Sequence, residues 1–385
     1  MTERLFPDRE SIAAIRSVLD QNGFDLAHEM LRPDYLTSPF PNLDTLLPRL
    51  GRLDPALLLA LQLFTLGESI SAEAVRELLG ADMLEAGLTT GLLVLGADQR
   101  SVSTAGLQVV SRLGQYFVVS TSRGYPSFDP AYADIYLGPE SYTLANYLQR
   151  RAAKLPSAGR ALDLCMGSGI AGQSIAAIRR GMLWTGIDVS PQAVEAATFN
   201  AMFNDVSDRY FPVAGDLYAP VAGQYFQLIV ANPPFIPVPE SIDFPVYGDG
   251  GETGLAVLTP MLTGLKQHLA PSGRAIIYAE GPGNERGPFI IDLLERVAGS
   301  GLTIGITLLS TMTIEQTLFS IGRMLAVQNP PRIEQLADWS AMFDRQGVTR
   351  YDKYIIEVLV GEPSVIVRSL DSTTIDRAPI SNQNL

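Results

Sequence analysis

The feature of this chain that most constrains its fold is a change of pattern at Gly159. From there to about residue 360, short aliphatic and β-branched runs alternate with segments of helical periodicity. Strands are predicted over 161–165, 183–187, 210–214, 228–231, 274–279, 302–309 and 354–360. Helices are predicted between them, over 170–180, 191–204, 255–269 and 289–298. Such alternation predicts a doubly wound α/β fold, with a seven-stranded, mainly parallel sheet covered by helices on both faces.

The residues before this alternation predict a mostly helical domain over 1–125. Helical spacing or capping residues indicate helices over 11–22, 55–64, 71–79 and 81–91, and short strands are predicted over 92–95 and 116–120. Asp54 followed by Pro55 is typical of a helix start, since aspartate caps the free amides and proline suits the first turn. Helices followed by a small hairpin are typical of a winged-helix module. A generic helical cap without a binding role is an equally good interpretation.

Three further segments complete the predicted organisation. Residues 126–158, which open with several glycines and prolines, are predicted to be a linker and a helix that lead into the next domain. That domain is predicted to span residues 159–368, and residues 369–385 form a polar tail. Within it, the long segment 314–346 between the last two strands is expected to carry extra helices.

Charge and composition restrict the classes of partner. The formal net charge is −13, whereas nucleic-acid binders usually show a basic footprint, so a nucleic-acid partner is disfavoured. With two histidines far apart in sequence, we expect no metal site. No apolar run reaches about 18 residues, so no membrane span is expected. The single cysteine, Cys165, forms no intrachain disulfide, which suits a reducing cytoplasm.

A glycine-rich loop follows the first predicted strand of the α/β region. Asp163 precedes Cys165, Gly167 and Gly169, and a helix begins after them. Glycines allow a tight turn and a close ligand approach, while the helix directs its positive end to the same place. The loop lacks the spacing of a dinucleotide fingerprint and the lysine of a phosphate loop. The aspartate would repel a phosphate and attract a cation, so the pattern predicts a positively charged ligand such as S-adenosylmethionine.

Further acidic residues end the next two strands. Asp188, followed by Val189, ends the second strand, and such an acid can accept both hydroxyls of a ribose. Asp216, followed by Leu217, ends the third strand. Its carboxylate can accept from an adenine amino group, and the N–H of Leu217 can donate to the ring. One such aspartate is most often a helix cap, but three at successive strand ends favour a cofactor site.

The fourth strand ends in Asn232-Pro233-Pro234-Phe235. The two prolines make this loop rigid, so the Asn232 side chain has a defined direction. Its amide oxygen and the Pro233 carbonyl are acceptors that can hold both hydrogens of an NH₂ group, and Phe235 can stack on a planar group. Such acceptors can stabilise the charge that develops when a planar nitrogen is methylated. The motif therefore predicts these four residues to be catalytic, with Asn232 also beside the cofactor.

These motifs together resemble the class I, Rossmann-like methyltransferases with an Asn-Pro-Pro-aromatic motif. The most similar group comprises the glutamine methyltransferases of release factors and ribosomal protein. The resemblance rests on LDLCMGSG at 162–169, GDLY at 215–218, LIVANPPFIP at 228–237 and GGETGL at 250–255. It extends over about residues 137–310, and it implies S-adenosylmethionine as cofactor and a protein or peptide side-chain amide as acceptor.

This chain departs from the family at two site positions. Cys165 replaces the usual first glycine, and it is interpreted as a small packing residue because no histidine partner is near. Phe235 replaces the usual tyrosine, so stacking is retained without the hydroxyl. The N-terminal region is longer than the family's recognition domain. Three alternatives stay open: an RNA or DNA exocyclic-amine methyltransferase, a small-molecule methyltransferase and a non-catalytic module that binds S-adenosylmethionine.

Overall fold

The alternating α/β pattern is present in the computed structural model, which describes residues 4–30, 51, 53–120, 132–326 and 331–370. The chain forms two compact units. The first comprises Met1–Ala222 with Val230–Asn232, and the second comprises Gly223–Ile229 with Pro233–Leu385. Across the described ranges, every helix is too short or too polar to cross a membrane.

The described helices follow most of the predicted segments, with shifts of a few residues at their ends. They are α1 (Arg9–Gln21), α2 (Phe24–Met30), α3 (Pro55–Phe64), α4 (Ala72–Leu78), α5 (Ala81–Thr89), α6 (Pro139–Arg150), α7 (Ile170–Ala176), α8 (Pro191–Phe203), α9 (Leu258–His268), α10 (Ile291–Ala298), α11 (Ile314–Ala326) and α12 (Leu336–Gln346). Short 3₁₀ turns cover Ala152–Lys154, Ala219–Val221 and Ile333–Gln335. The two helices α11 and α12 confirm the prediction that the segment 314–346 carries extra helices.

The described strands include all seven predicted for the main sheet. They are β1 (Ile70–Ser71), β2 (Val94–Leu95), β3 (Ser101–Ser103), β4 (Leu107–Arg112), β5 (Gln115–Ser120), β6 (Ala158–Leu164), β7 (Gly181–Asp188), β8 (Tyr210–Ala214), β9 (Phe226–Ala231), β10 (Leu269–Asn284), β11 (Gly287–Pro288), β12 (Leu302–Thr313), β13 (Arg350–Val360) and β14 (Ser364–Ser369).

The predicted capping residues begin two of the helices. Asp54 accepts a hydrogen bond from Ala56 N at 2.9 Å, and Pro55 is the first residue of α3. Ser190 caps α8 in the same way, with Pro191 in the first turn. Because each cap satisfies an amide that has no partner inside the helix, the residues at these two positions determine where the helices begin.

The main sheet confirms the mainly parallel α/β prediction. Its described strands have the order β14-β12-β13-β10-β9-β6-β7-β8, and β11 pairs with β10 outside this path. The pairs β6–β7, β7–β8 and β12–β14 are parallel, and β13 is antiparallel to both β10 and β12. The sheet thus has two strands more than the seven predicted. Both extra strands, β11 and β14, follow tight turns and lack a long apolar run.

The N-terminal helical region is present and has small sheets of its own. Strands β1, β3 and β2 form one sheet in that order, and β4 and β5 form an antiparallel hairpin. β4 was not predicted, because its polar residues Gln108 and Ser111, although buried, interrupt the apolar run. The winged-helix interpretation and the domain limits 1–125, 126–158, 159–368 and 369–385 stay predictions. Residues 121–131 and the tail from 371 lie outside the described residues.

A shared core joins the N-terminal helices to helix α8 within the first unit. Ile15, Phe64 and Phe117 are fully buried in the same apolar cluster as Phe199 and Phe203 of α8. This packing buries a large aromatic area, which contributes strongly to stability.

Two asparagines of α8 pair with the main chain of β5. Asn200 Oδ1 accepts from Val118 N at 2.7 Å, and its Nδ2 donates to Val118 O at 3.1 Å. Asn204 makes the same pair of bonds with Tyr116, each at 2.8 Å. The two side chains therefore satisfy the edge of β5 as a neighbouring strand would.

The second unit has a separate core around α11 and α12. Trp339 is fully buried and packs with Phe343, Phe244 and Val238. Its Nε1 donates to the Pro237 carbonyl at 2.7 Å. The helices of the segment 314–346 therefore support the loop that follows Phe235.

Candidate functional site

The loop after β6 is a tight turn held against the end of β7. Met166 N donates to Ile187 O at 3.1 Å, and Gly169 N donates to Met166 O at 2.8 Å. Cys165, Gly167 and Gly169 all have positive φ, at 53°, 52° and 81°. The φ of Gly169 favours glycine, and a Cβ there would also displace the end of the Gln173 side chain, since it would lie 2.5 Å from Gln173 Nε2. The predicted loop glycines therefore have a structural requirement.

Asp163 lies inside the protein below this loop. The residue is 1% exposed, and its Oδ2 accepts from Gly172 N at 2.9 Å and from the Tyr210 hydroxyl at 2.8 Å. Burial raises the pKa of the Asp163 carboxyl to about 7, although these two hydrogen bonds act in the opposite direction. The carboxyl thus connects β6, α7 and β8.

Asp188 ends β7 beside the same loop. Its Oδ2 accepts from Gly167 N at 2.9 Å, and its Oδ1 accepts from Ser190 N at 3.0 Å. Burial raises the pKa of the Asp188 carboxyl. Each oxygen has a second lone pair, so the carboxylate can still accept from a ligand hydroxyl.

The next turn is tied to the same strand end. Gly215 N donates to the Asp188 carbonyl at 2.9 Å, which holds the turn that carries Asp216 and Leu217. Asp216 is exposed, Leu217 has a φ of 45°, and Val189 is 52% exposed. The structure therefore brings the predicted residues of the second and third strand ends together.

The pKa of the Cys165 thiol reflects the negative charge around the loop after β6. Burial raises the pKa of its thiol, and the charges of Asp188, Asp163 and Asp216 raise it further, in that order. All three predicted carboxylates therefore act on one point of the loop. Such a site disfavours a thiolate or a phosphate and favours a cation.

Asn232 follows β9 and belongs to the first unit, like the cofactor loop. Its Nδ2 donates to the Ser141 hydroxyl at 3.2 Å. Its Oδ1 is buried and has no hydrogen-bond partner within the described part of the chain. A buried acceptor without a partner is costly, and it is typical of a site that awaits a donor.

The rest of the predicted motif, Pro233, Pro234 and Phe235, belongs to the second unit. The Phe235 ring is 8% exposed, and its centroid lies 5.9 Å from that of Tyr278. A Cβ on Gly250 would lie 2.8 Å from the Phe235 carbonyl carbon, and a Cβ on Gly254 would lie 2.6 Å from the Phe235 oxygen. The GGETGL run is therefore glycine-rich because it packs on the main chain of Phe235.

Sequence reasoning missed three contributors to the site. Ser141 contacts Asn232, Tyr210 contacts Asp163, and Asp134 Oδ2 accepts from the Ser190 hydroxyl at 3.1 Å. None of the three has a local sequence signal, since each meets its partner across more than 40 residues. Within the described ranges, no three His, Cys, Asp or Glu side chains are grouped to hold a metal ion.

The chain is similar to known methyltransferases. Residues 137–282 match the family model described as "Methyltransferase small domain". A release factor glutamine methyltransferase of Rhodospirillum rubrum is 33% identical over 212 residues, which cover 51% of this chain and 65% of that protein. A ribosomal protein uL3 glutamine methyltransferase of Francisella tularensis is 36% identical over 75 residues, which cover 20% of this chain and 24% of that protein.

The chain thus spans less than two thirds of the length of these relatives. Among solved structures, a SAM-dependent methyltransferase of Thiobacillus denitrificans in complex with S-adenosyl-L-homocysteine is 19% identical, with a TM-score of 0.33, and the match covers 59% of this chain and 92% of that one. The match to the methyltransferase small domain model thus covers the loop after β6, the ends of β7 and β8, and the Asn232 motif.

Proposed function

We propose that this protein methylates the side-chain amide nitrogen of glutamine, or of asparagine, in a protein or peptide. The observation that carries the proposal is the Asn232 Oδ1 atom, a buried acceptor without a partner among the described residues. An amide NH₂ group supplies the donor that this oxygen lacks, and Pro233 provides a second main-chain acceptor next to it. We further propose that the protein acts in the cytoplasm, since the relatives are named for a release factor and a ribosomal protein.

The proposed acceptor pair would compensate for the low nucleophilicity of an amide nitrogen. The lone pair of an amide nitrogen is delocalised, so the nitrogen is a poor nucleophile. Two acceptors that hold its hydrogens direct the lone pair towards the methyl group and stabilise the positive charge that develops on nitrogen. S-adenosylmethionine supplies an electrophilic methyl group on its sulfonium. A nitrogen–carbon bond forms as the sulfur–carbon bond breaks, and the nitrogen then releases a proton to water.

The acidic loop fits the charge of this cofactor. Asp188 is positioned to accept from the ribose hydroxyls, and its exposed neighbour Val189 provides an apolar contact for the adenine. Asp216 would accept from the adenine amino group, and the Leu217 N–H would donate to the ring. Asp163 is buried, so its ionised form would act through its charge and not through direct contact. The combined negative charge favours the ammonium and sulfonium groups and opposes a phosphate.

The loop residues complete the cofactor site. Among the described residues, a Cβ on Gly167 would meet the Tyr136 carbonyl oxygen alone, at an ordinary contact distance of 3.6 Å, so a ligand can approach its main chain. Gly169 starts α7, and Cys165 packs beside the cofactor without a nucleophilic role. These positions are the structural basis for proposing S-adenosylmethionine at this loop.

A nucleic-acid amine is the second candidate, because the same acceptors suit an adenine or guanine amino group. The net charge of −13 opposes it. Helix α5 would be the groove-reading helix of a winged-helix module, yet Asp82 and Glu85 are exposed on it. Two carboxylates on that face would repel phosphates, so the structure favours the protein substrate.

The test is transfer of a labelled methyl group from S-adenosylmethionine into a cell lysate, followed by protease or nuclease digestion. We expect label that protease removes, methylated glutamine or asparagine by mass spectrometry, and strongly reduced transfer by Asn232→Ala. Label that nuclease removes would establish the nucleic-acid function instead. Label in small molecules alone would indicate a small-molecule methyltransferase, and cofactor binding without any transfer would indicate a non-catalytic module.

Two variants separate the proposed roles. Asp188→Ala is expected to weaken S-adenosylmethionine binding, measured by calorimetry, because it removes the acceptor for the ribose. Asn232→Ala is expected to keep cofactor affinity and to lower turnover by about 100-fold or more, as does loss of other charge-stabilising groups. An equal loss of cofactor affinity in both variants would contradict this division.

A further inference from the structure

We propose that Ser141 is a positioning residue that fixes the amide of Asn232 with its oxygen towards the substrate nitrogen. The inference rests on the proposed function and deepens it. Ser141 lies in the first turn of α6, before the cofactor loop in sequence, and its hydroxyl accepts from Asn232 Nδ2 at 3.2 Å.

An asparagine amide has two ends of similar shape and opposite hydrogen-bonding character. A half-turn about its last torsion exchanges the oxygen with the NH₂ group, and only the oxygen can hold a substrate NH₂. The Ser141 hydroxyl gives the Asn232 NH₂ group a partner on the side away from the acceptor. In this arrangement the hydroxyl accepts from the NH₂ group and leaves the Asn232 oxygen free for the substrate, and without the hydroxyl the NH₂ group would have to find another acceptor.

Helix α6 is a firm support for this contact. Ser141 itself is 6% exposed, and its neighbours Tyr142, Leu144 and Leu148 are fully buried. The Tyr142 hydroxyl donates to the Ser111 carbonyl at 3.0 Å, which ties the start of α6 to strand β4. Because the backbone of Ser141 is held on several sides, its hydroxyl has a defined position.

The same helix offers a matched control. Thr143 lies two residues further on, is half-buried, and its hydroxyl donates to the Pro139 carbonyl at 2.8 Å. Thr143→Ala removes a hydroxyl from the same turn without touching Asn232. Ser141→Cys keeps the size of the side chain and replaces the oxygen with a weak acceptor, while Ser141→Thr keeps the hydroxyl.

The experiment measures initial rates of labelled-methyl incorporation into the protein fraction of a lysate at saturating S-adenosylmethionine, with the cofactor Kd from calorimetry. We expect Ser141→Ala and Ser141→Cys to lower the rate about 10-fold, in proportion to one lost hydrogen bond, with the Kd unchanged. Ser141→Thr and Thr143→Ala are expected to stay within about 2-fold of the wild-type rate. Adding Ser141→Ala to Asn232→Ala should lower the rate no further, because both act through one amide.

Three results would overturn the inference. A wild-type rate in both Ser141→Ala and Ser141→Cys shows that the amide needs no such partner. A Kd that rises as much as the rate falls places Ser141 in the cofactor site instead. Additive effects in the double variant show that Ser141 acts independently of Asn232. If Asn232→Ala itself keeps full activity, the proposed function fails, and that outcome is visible before Ser141 is changed.

Discussion

The buried carboxyl of Asp163 makes the stability of the fold depend on pH. Its pKa rises from an ordinary value of 3.8 to about 7 in the folded protein, chiefly through burial. The folded state therefore binds this proton more tightly than the unfolded state does. The stabilisation from this protonated carboxyl is fully present below the pKa that Asp163 has in the unfolded chain. It is lost as the pH rises through the pKa that Asp163 has in the folded protein.

The size of the effect follows from the two pKa values. The gap between 3.8 and about 7 corresponds to about 4 kcal/mol at a pH above both values, since each pH unit is worth about 1.4 kcal/mol. Asp163→Asn removes the charge and keeps an oxygen that can accept from Gly172 N and from the Tyr210 hydroxyl. This variant should therefore be more stable than the wild type at high pH, and its advantage should grow by about 2 kcal/mol between about pH 5.5 and pH 8.

The assay is urea unfolding of the cofactor-free protein at both pH values, followed by tryptophan fluorescence. Trp184 is fully buried, with its ring centroid 6.4 Å from that of Tyr210, so it reports on the environment of Asp163. Asp82→Asn, at an exposed position, is the control and should show no such growth. An advantage of Asp163→Asn that is equal at both pH values, or a loss of stability at both, would refute the reasoning.

Three further changes test other parts of the structure. Trp339→Phe leaves the Pro237 carbonyl without its donor, and it should lower the free energy of urea unfolding by about 1–3 kcal/mol; an unchanged midpoint would contradict this. Because burial and nearby carboxylates raise the pKa of the Cys165 thiol, we expect iodoacetamide to label it slowly near pH 8 until urea unfolds the chain, as followed by mass spectrometry; rapid labelling of folded protein would contradict this. Gly250→Ala places a Cβ against the Phe235 main chain, and it should lower methyl transfer by about 10-fold or more with cofactor affinity retained; full activity would show that the loop adapts.

Local signals predicted most of the fold. The seven strands and the helix starts at Asp54 and Ser190 follow from hydrophobic periodicity and capping chemistry, which act within a few residues. The strands β4 and β14 were missed, because buried polar residues interrupt β4 and because β14 is short and mostly exposed. Strand prediction fails where polar residues occupy buried positions or where a short strand lies at an exposed edge.

The sequence predicted the site residues that carry a local signal and missed those that meet only in the folded chain. Glycines and strand-end acids are visible in sequence, and the structure brings Asp163, Asp188 and Asp216 together around Cys165. The partner of Asn232 was not visible, because Ser141 lies 91 residues away and meets it only in the folded chain. The hydrogen bond of Tyr210 to Asp163 is hidden in the same way, so the burial of this carboxyl could not be foreseen.

Because Asn200 and Asn204 pair with β5, the chain cannot be divided into independent fragments between β5 and α8. Asn200 also donates to the Ser168 carbonyl at 3.0 Å, so one side chain holds both the hairpin and the cofactor loop. A chain shortened to begin after residue 125 would lose β5 and expose the aromatic side of α8 to water. The N-terminal region is thus inseparable from the cofactor loop, and an exchange of this region between related proteins would have to carry α8 with it.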